Sequence, residues 1–451
     1  MTAAAAAAAL RPTRWLPRLG TPHALVFDET YYAKDALSLL RYGYERKVIQ
    51  GADATLLGGD SDIFTDLPSY VVHPPLGKWV IAAGESLFGP TPFGWRIMVA
   101  LVGIASVLIV GRIARRLTRS NVIGTVTALL LALDGLHIAM SRTALLDTTL
   151  SFFVLCAFGF AVMDMDRHIA GFRWTRVGMT VMLGLACATK WSGVYFAAAF
   201  VVMLLAWDFG RRPDRRVWLA RDVAPASLMP LAVIGIYLSS WVGWFASDNA
   251  WDRHWGERNT GAMGALRGLW HYHADMLSFH THLASEHNYR ANPLGWPLMI
   301  RPTSFYYETP STCGVASCAQ EVIPLGNPLV WWLGAAALVW LAVLVARRVS
   351  HDALPILVGF GAGWLPWLYF HNRTTFTFYA VVFLPYTAMA LAKAAHLIGN
   401  RGGEPRDHWS PVTIGLVAAV AVLTAFFFPV LTGITIPYDS WRLRMWLPSW
   451  I

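Results

Sequence analysis

Two adjacent carboxylates between aromatic side chains, Asp28 and Glu29 in Phe27-Asp28-Glu29-Thr30-Tyr31-Tyr32, are of a type and spacing that could do chemistry. A carboxylate beside an apolar wall can take a proton from a hydroxyl, and aromatic rings give a sugar-sized wall. Alone, such a pair is most simply a solvated turn. A second string, His73-Pro74-Pro75-Leu76-Gly77-Lys78-Trp79, leads into an apolar stretch, 79–88, too short to cross a bilayer. Its prolines fix a helix entry, and the stretch reads as a helix lying at a membrane interface, with Lys78 at the level of lipid phosphates. Further ionisable groups sit at the ends of apolar segments: Arg96, Asp134, Arg142, Asp147 and Lys190, with His371 and Arg373 in a short turn. An ionisable side chain at mid-bilayer costs about 2.5–3.5 kcal/mol, so those present are usually functional or paired. Arginine and lysine gathered on one side suit an anionic ligand such as a phosphate.

The elements that must position these groups are membrane helices. Hydrophobic residues make up 56% of the 451, and charged residues 14%, against about 25% in soluble domains. Mean hydropathy is +0.45. A spanning helix needs about 20 mostly apolar residues. Candidate spans run over 94–111, 122–140, 145–163, 177–190, 193–207, 225–245, 328–346, 353–370, 375–394 and 411–433. This predicts an all-α, polytopic bundle of about ten or eleven transmembrane helices.

The formal charge of +9 does not indicate nucleic-acid binding, because the arginines fall in short runs between apolar stretches. Those runs, Arg112 to Arg119, Arg167 to Arg176, Arg211 to Arg221, Arg347-Arg348 and Lys393 to Arg406, occupy alternate connections, as the positive-inside rule requires. They predict a multi-pass protein of the cell membrane. Segments 21–93 and 246–327, the turns at Arg142, Trp191 and 371–373, and the C-terminus then face the extracytoplasmic side. Residues 94–245 and 328–451 form the two helical blocks. Residues 1–20, which begin with an alanine run, lack a signal-peptide layout, and the expectation there is a truncated or atypical first span.

Cys156 and Cys187 lie in apolar segments. Cys313 and Cys318, five apart in a polar stretch, could close a small loop in an oxidising compartment. The histidines of 271–287 show no His-Glu-x-x-His arrangement, so an interfacial helix is expected there and no metal. There is no glycine-rich phosphate loop and no Gly-x-Ser-x-Gly elbow.

Phe27-Asp28-Glu29-Thr30-Tyr31-Tyr32-Ala33-Lys34-Asp35, His73 to Lys78, Ser141-Arg142-Thr143-Ala144-Leu145-Leu146-Asp147 and Thr189-Lys190-Trp191-Ser192-Gly193 resemble the protein O-mannosyltransferases, in particular their actinobacterial branch. The resemblance runs from about Thr21 to the C-terminus. It implies a GT-C-type glycosyltransferase bundle with interfacial helices in its outer loops. It also implies a polyprenyl-phosphate-mannose donor and Ser or Thr acceptors on secreted or membrane proteins, with no cofactor. Asp28 and Glu29 match the family's Asp-Glu motif, with Asp28 favoured as base and Glu29 orienting the acceptor. The chain departs from the family where the span preceding that motif is mostly missing.

A hydroxyl attacking a β-linked donor in one displacement would give an α-mannoside. His73, Lys78, Arg96, Arg142, Asp147, Lys190, His371 and Arg373 are the candidates for holding the donor's phosphate and sugar. Two other readings share parts of this pattern. One is a GT-C enzyme acting on a lipid or cell-wall glycan. The other is a transporter of an anionic substrate, which would place its groups nearer mid-membrane.

Overall fold

A computed structural model describes residues 18–166, 173–212, 214–256, 261–311, 313–400 and 407–451. The alanine run, Arg167, Arg401 and Arg406 lie outside the described residues. Among the described residues, three helices precede the first long span: α1 (Glu29–Tyr42), α2 (Ala52–Leu57) and α3 (Leu76–Phe88). They are followed by α4 (Pro92–Thr118), α5 (Asn121–Ala132), α6 (Gly135–Ser141), α7 (Leu146–Met165), α8 (Trp174–Thr189), α9 (Gly193–Arg211) and α10 (Arg215–Ser239). Then come α11 (Gly261–His282), α12 (Leu329–Ala346), α13 (Leu354–Tyr369), α14 (Leu384–Gly399) and α15 (Pro411–Thr432).

All ten predicted stretches carry helix. Six helices, α4, α7, α9, α10, α12 and α15, are long and apolar enough to cross a bilayer. The pair α5 and α6, bent by 61°, makes a seventh if taken as one span. Helices α8, α13 and α14 have 16 residues each, about 24 Å of rise against a hydrocarbon core of about 30 Å. The stretch predicted at 375–394 is only partly α-helical. A 3₁₀ turn occupies Thr377–Val382, and α14 begins at Leu384 with a proline in its first turn. Two small antiparallel sheets supplement the helices: β1 (Arg46–Val48) with β2 (Phe64–Pro68), and β3 (Tyr306–Glu308), β4 (Cys318–Val322) and β5 (Ile436–Pro437) in that order. The Cys313–Cys318 disulfide closes the β3–β4 connection, its Cα atoms 5.9 Å apart.

Local sequence explains where the long helices start and stop. Thr91 caps α4 by accepting from the Gly94 amide at 3.2 Å, and Pro92 opens the helix. Ser410 and Thr413 form a reciprocal capping box on α15, which ends at Gly433 with φ +68°, the left-handed conformation glycine adopts without strain. The bend between α5 and α6 has a single agent. Asp134 caps α6 through the Leu136 amide at 3.0 Å and also accepts from the Asn327 amide at 3.0 Å and Trp331 Nε1 at 2.9 Å. Its carboxylate is buried and fully used, so it joins two distant parts of the chain.

Two further features hold the frame. Gly43, at φ +80° just beyond α1, meets Gly243. A Cβ on Gly243 would stand 2.0 Å from the Gly43 carbonyl oxygen, so a side chain there would drive the two backbones apart. At the far end, Asp164 of α7, Asp208 of α9 and Asp222 of α10 are all buried. They meet Arg173, Arg176 and Arg212, with Arg173 Nη1 2.7 Å from Asp208 and Arg176 Nε 3.2 Å from Asp164. Three of the arginines that mark topology therefore also tie four helices together.

Candidate active site

Asp28 and Glu29 sit at the amino end of α1. The residue before them, Phe27, has φ +52°, a conformation that costs a bulky side chain about 1–3 kcal/mol. Aromatic packing holds it there. Its ring stacks on Phe305 at 4.7 Å and meets Phe378 edge-on at 5.5 Å and Phe376 at 5.9 Å. The strained residue thus fixes the direction in which α1 begins.

The two carboxylates have different surroundings. Glu29 is fully buried. Arg96 Nε and Nη2 donate to its two oxygens at 2.8 and 2.7 Å, and the Val26 and Ala144 amides donate to them at 2.8 Å each. The rest of the Arg96 guanidinium is spent on the carbonyls of Leu19, Pro22 and Ala24. Asp28 is only partly buried. Burial raises its pKa to about 6, the charge of Lys190 pulls it down, and Asp147 pushes it up. Two of its electrostatic neighbours, Lys190 and Asp147, line a cavity whose wall does not include Asp28 itself.

That cavity, of about 140 Å³, is lined by His73, Asp147, Lys190 and Arg373 among the sequence candidates, and also by His280, Tyr379, Trp191, Tyr195 and Trp367. Asp147, in the first turn of α7, receives both contacts of the Lys190 ammonium at 2.9 Å. Lys190 follows the last residue of α8 and lies 4.7 Å from the centre of the Tyr379 ring. Arg373 donates through Nη2 to His280 Nδ1 at 3.3 Å, while His280 Nε2 donates to the Val72 carbonyl at 2.7 Å. That pattern needs a neutral imidazole with its proton on Nε2. Burial and the charge of Arg373 hold the His280 pKa down to about 4, in agreement. His73 stacks on His280 at 5.2 Å, and burial, followed by the charge of Lys190, holds it well below its ordinary value. Two buried nitrogens, His73 Nδ1 and Arg373 Nε, have no hydrogen-bond partner among the described residues. The cavity thus offers two cations, one of them without a carboxylate partner among the described residues, and unsatisfied ring and guanidinium nitrogens. An anion with several oxygens fits that set.

The other four candidates do not line the cavity. Lys78 is buried against Glu45, with Asp35 at 3.9 Å. Arg96 is committed to Glu29. Arg142 donates to the Arg18 carbonyl at 2.6 Å. His371 is exposed, with its ring beside the Leu368 carbonyl at 3.0 Å. Conversely, Tyr379, Tyr195 and Trp367 were not expected. They are aromatic residues in apolar stretches and carry no charge to single them out. His280 lay within the histidine run, and α11 does form there, but this one histidine faces the cavity.

For a metal, Asp252, His271 and Asp275 bring ligand atoms within 4.8 Å of one another. None of the three lines the cavity, and His271 Nδ1 already pairs with Asp252 at 2.8 Å. Beyond Tyr195 an apolar groove runs between α9 and α13 past Ala198, Val202, Leu357, Gly361 and Leu365. Tyr195 belongs to both spaces, so cavity and groove adjoin.

Residues 15–247 match the dolichyl-phosphate-mannose-protein mannosyltransferase family, and 265–450 the C-terminal four-span region of protein-O-mannosyltransferase. A polyprenol-phosphate-mannose–protein mannosyltransferase of Mycobacterium tuberculosis is 37% identical over 96% of this chain and 87% of its own length. In three dimensions the chain resembles the S. cerevisiae Pmt1-Pmt2 protein O-mannosyltransferase complex bound to its sugar donor, with TM-score 0.77 at 14% identity over 99% of this chain and 92% of that one. It also resembles apo ArnT of Cupriavidus metallidurans, with TM-score 0.56 at 17% identity over 96% and 77%.

Proposed function

The chain belongs to the dolichyl-phosphate-mannose-protein mannosyltransferase family, and from that membership we propose that it carries mannose from a polyprenyl phosphate to Ser or Thr hydroxyls of a polypeptide, with Asp28 as the base. It is a mannosyltransferase of GT-C fold and a multi-pass membrane protein. The observation that carries the residue assignments is the cavity where Lys190 and Arg373 meet, within electrostatic reach of Asp28.

With its pKa near 6, Asp28 is mostly ionised at neutral pH yet basic enough to accept a proton. The acceptor oxygen attacks the anomeric carbon from the face opposite the phosphate. The bond from that carbon to the phosphate oxygen breaks, and its electron pair leaves with the lipid phosphate. The hydroxyl proton ends on Asp28. Lys190 and Arg373 stabilise the charge developing on the phosphate, His73 Nδ1 contacts one of its oxygens, and Asp147 holds Lys190 in place. One displacement inverts the anomeric configuration. Glu29 and Arg96 act as positioning residues, tying α1 to α4 so that Asp28 stays within electrostatic reach of Lys190 and Asp147. The prenyl chain occupies the groove between α9 and α13.

The reaction side is extracytoplasmic. The arginine-rich connections support this, and so does the Cys313–Cys318 disulfide in a segment assigned to the opposite side, since disulfides persist in oxidising compartments. The test uses membranes containing the protein, labelled polyprenyl-phosphate mannose and a Ser/Thr-rich peptide. Label on the peptide that vanishes with Asp28→Asn supports the reading. Label that moves only to lipid or glycan overturns the acceptor assignment.

A further inference from the structure

At the end of the bundle away from the cavity, the last turns of α4 present Arg112, Arg115 and Arg116, whose spacing, i, i+3 and i+4, places them on one helical face. That face borders a cleft of about 700 Å³ between α4 and α7, floored by Ile109, Ile113, Cys156, Phe160 and Met163. Arg119, just past the helix with φ +54°, lies on the rim of the same cleft. Gly159 also lines the cleft, and a Cβ there would press on Ile113 at 3.0 Å, so the floor is closely packed. Of the four arginines only Arg116 has a carboxylate partner among the described residues, Asp166 at 2.8 Å. Arg112, Arg115 and Arg119 are exposed. The amide end of α5 beside them is already capped by Asp407, which accepts from Ser120, Asn121 and Val122.

A topology signal needs only basic residues somewhere in the connection. It does not need them in a stripe on the rim of an apolar cleft. From Cys156 to Met163 the apolar floor runs about 10 Å along α7, enough to seat the upper part of an acyl chain. An apolar floor beside a rim on which three of four arginines have no carboxylate partner among the described residues matches a lipid with an acyl chain and an anionic headgroup. We propose that this cleft is a binding site for one anionic diacyl phospholipid, with its phosphate on Arg112, Arg115 and Arg119 and an acyl chain against Cys156 and Phe160. That the lipid comes from the cytoplasmic leaflet rests on the orientation given above. The binding itself rests on neither the orientation nor the transfer reaction.

The test is made on the delipidated protein in neutral detergent, with binding of phosphatidylglycerol, phosphatidylcholine and polyprenyl phosphate followed by native mass spectrometry. The expected result is one phosphatidylglycerol per chain in preference to the other two lipids. Arg112→Gln with Arg115→Gln should weaken that binding by about fivefold per arginine, leaving phosphatidylcholine unaffected. The corresponding pair of lysine substitutions should keep most of it. Cys156→Phe, which fills the floor without changing charge, should remove the bound lipid. Equal retention of phosphatidylglycerol and phosphatidylcholine means annular lipid only and overturns the proposal. So does a preference for polyprenyl phosphate, or unchanged affinity in the double glutamine variant. Since no step needs mannose transfer, failure here leaves the enzymatic reading intact, and the reverse also holds.

Discussion

Arg96 grips Glu29 with two parallel hydrogen bonds, Nε to Oε1 at 2.8 Å and Nη2 to Oε2 at 2.7 Å, and so joins the start of α1 to the start of α4. The neighbouring Asp28 takes no part in that grip. Two carboxylates adjacent in sequence therefore separate into one that holds and one that feels the charges of Lys190 and Asp147.

Their substitutions should diverge. Glu29→Gln leaves the Arg96 charge buried and poorly paired, which costs about 3–5 kcal/mol. A thermal unfolding scan in detergent should show a large fall in Tm, partly recovered when Arg96→Gln is added, because the two changes share one interaction. If Glu29→Gln unfolds at the parental temperature yet has lost all transfer, Glu29 acts in the chemistry itself.

Asp28→Asn should abolish transfer while leaving the fold intact. Burial raises the Asp28 pKa from an ordinary 3.8 to about 6, so the folded state prefers the protonated carboxyl. Its contribution to stability is greatest below pH 4 and declines as pH rises through 6. The asparagine variant should thus have a Tm at pH 7 equal to or a few degrees above the parent's, and the gap should close at pH 4. A lower Tm at pH 7 would contradict the assignment of burial as the cause.

Because Asp28 must be ionised to accept a proton, kcat/KM should fall tenfold per pH unit below about 6 and level off above it. A profile measured with saturating lipid donor between pH 4.5 and 8 checks this. A flat acid limb would remove Asp28 as the titrating base.

Arg373→Gln removes a cation whose Nε has no hydrogen-bond partner among the described residues. It should lower kcat by about 10²–10³ and move Tm little. Lys190→Gln should lower both, because it leaves the Asp147 carboxylate without its partner at 2.9 Å. Steady-state kinetics set beside thermal scans separate the two behaviours, and equal effects of the two variants on Tm would argue against them.

Ala198→Trp, in the groove between α9 and α13, should raise KM for a long-chain polyprenyl-phosphate mannose several-fold. It should leave KM for a short-chain analogue unchanged. An equal rise for both donors would place the lipid tail elsewhere.

All ten expected stretches carry helix, and four of the eight donor candidates line the cavity; the reason the other four lie elsewhere is physical. Basic residues at helix ends on one side were the signal, and that signal cannot tell a free cation from a paired one. Arg373, with a free Nε, and Arg96, locked to Glu29, look alike as letters. Lys78 pairs with Glu45 across 33 residues, a distance over which no periodicity speaks. Tyr379 reaches the cavity from a 3₁₀ turn inside a stretch expected to be regular helix. The bend at Asp134 was also hidden, because its partners Asn327 and Trp331 lie nearly 200 residues away.

Two of the helices around the cavity, α7 and α8, are fastened to each other at both of their ends. Near the cavity, Asp147 of α7 meets Lys190 beyond α8. At the opposite end, Asp164 of α7 and Asp208 of α9 meet Arg173 and Arg176 beside α8. Such a frame resists shear much as a braced rectangle does. The neighbour across the groove, α13, contains no charged residue at all. It is held instead by Trp364 Nε1 donating to the Pro293 carbonyl at 2.8 Å and from its flanks, where Asp352 pairs with Lys393 at 2.6 Å and Arg373 donates to His280 at 3.3 Å. Under the proposed reading, a carrier entering sideways from the bilayer therefore slides along an uncharged wall at α13, while Asp147 keeps Lys190 in place.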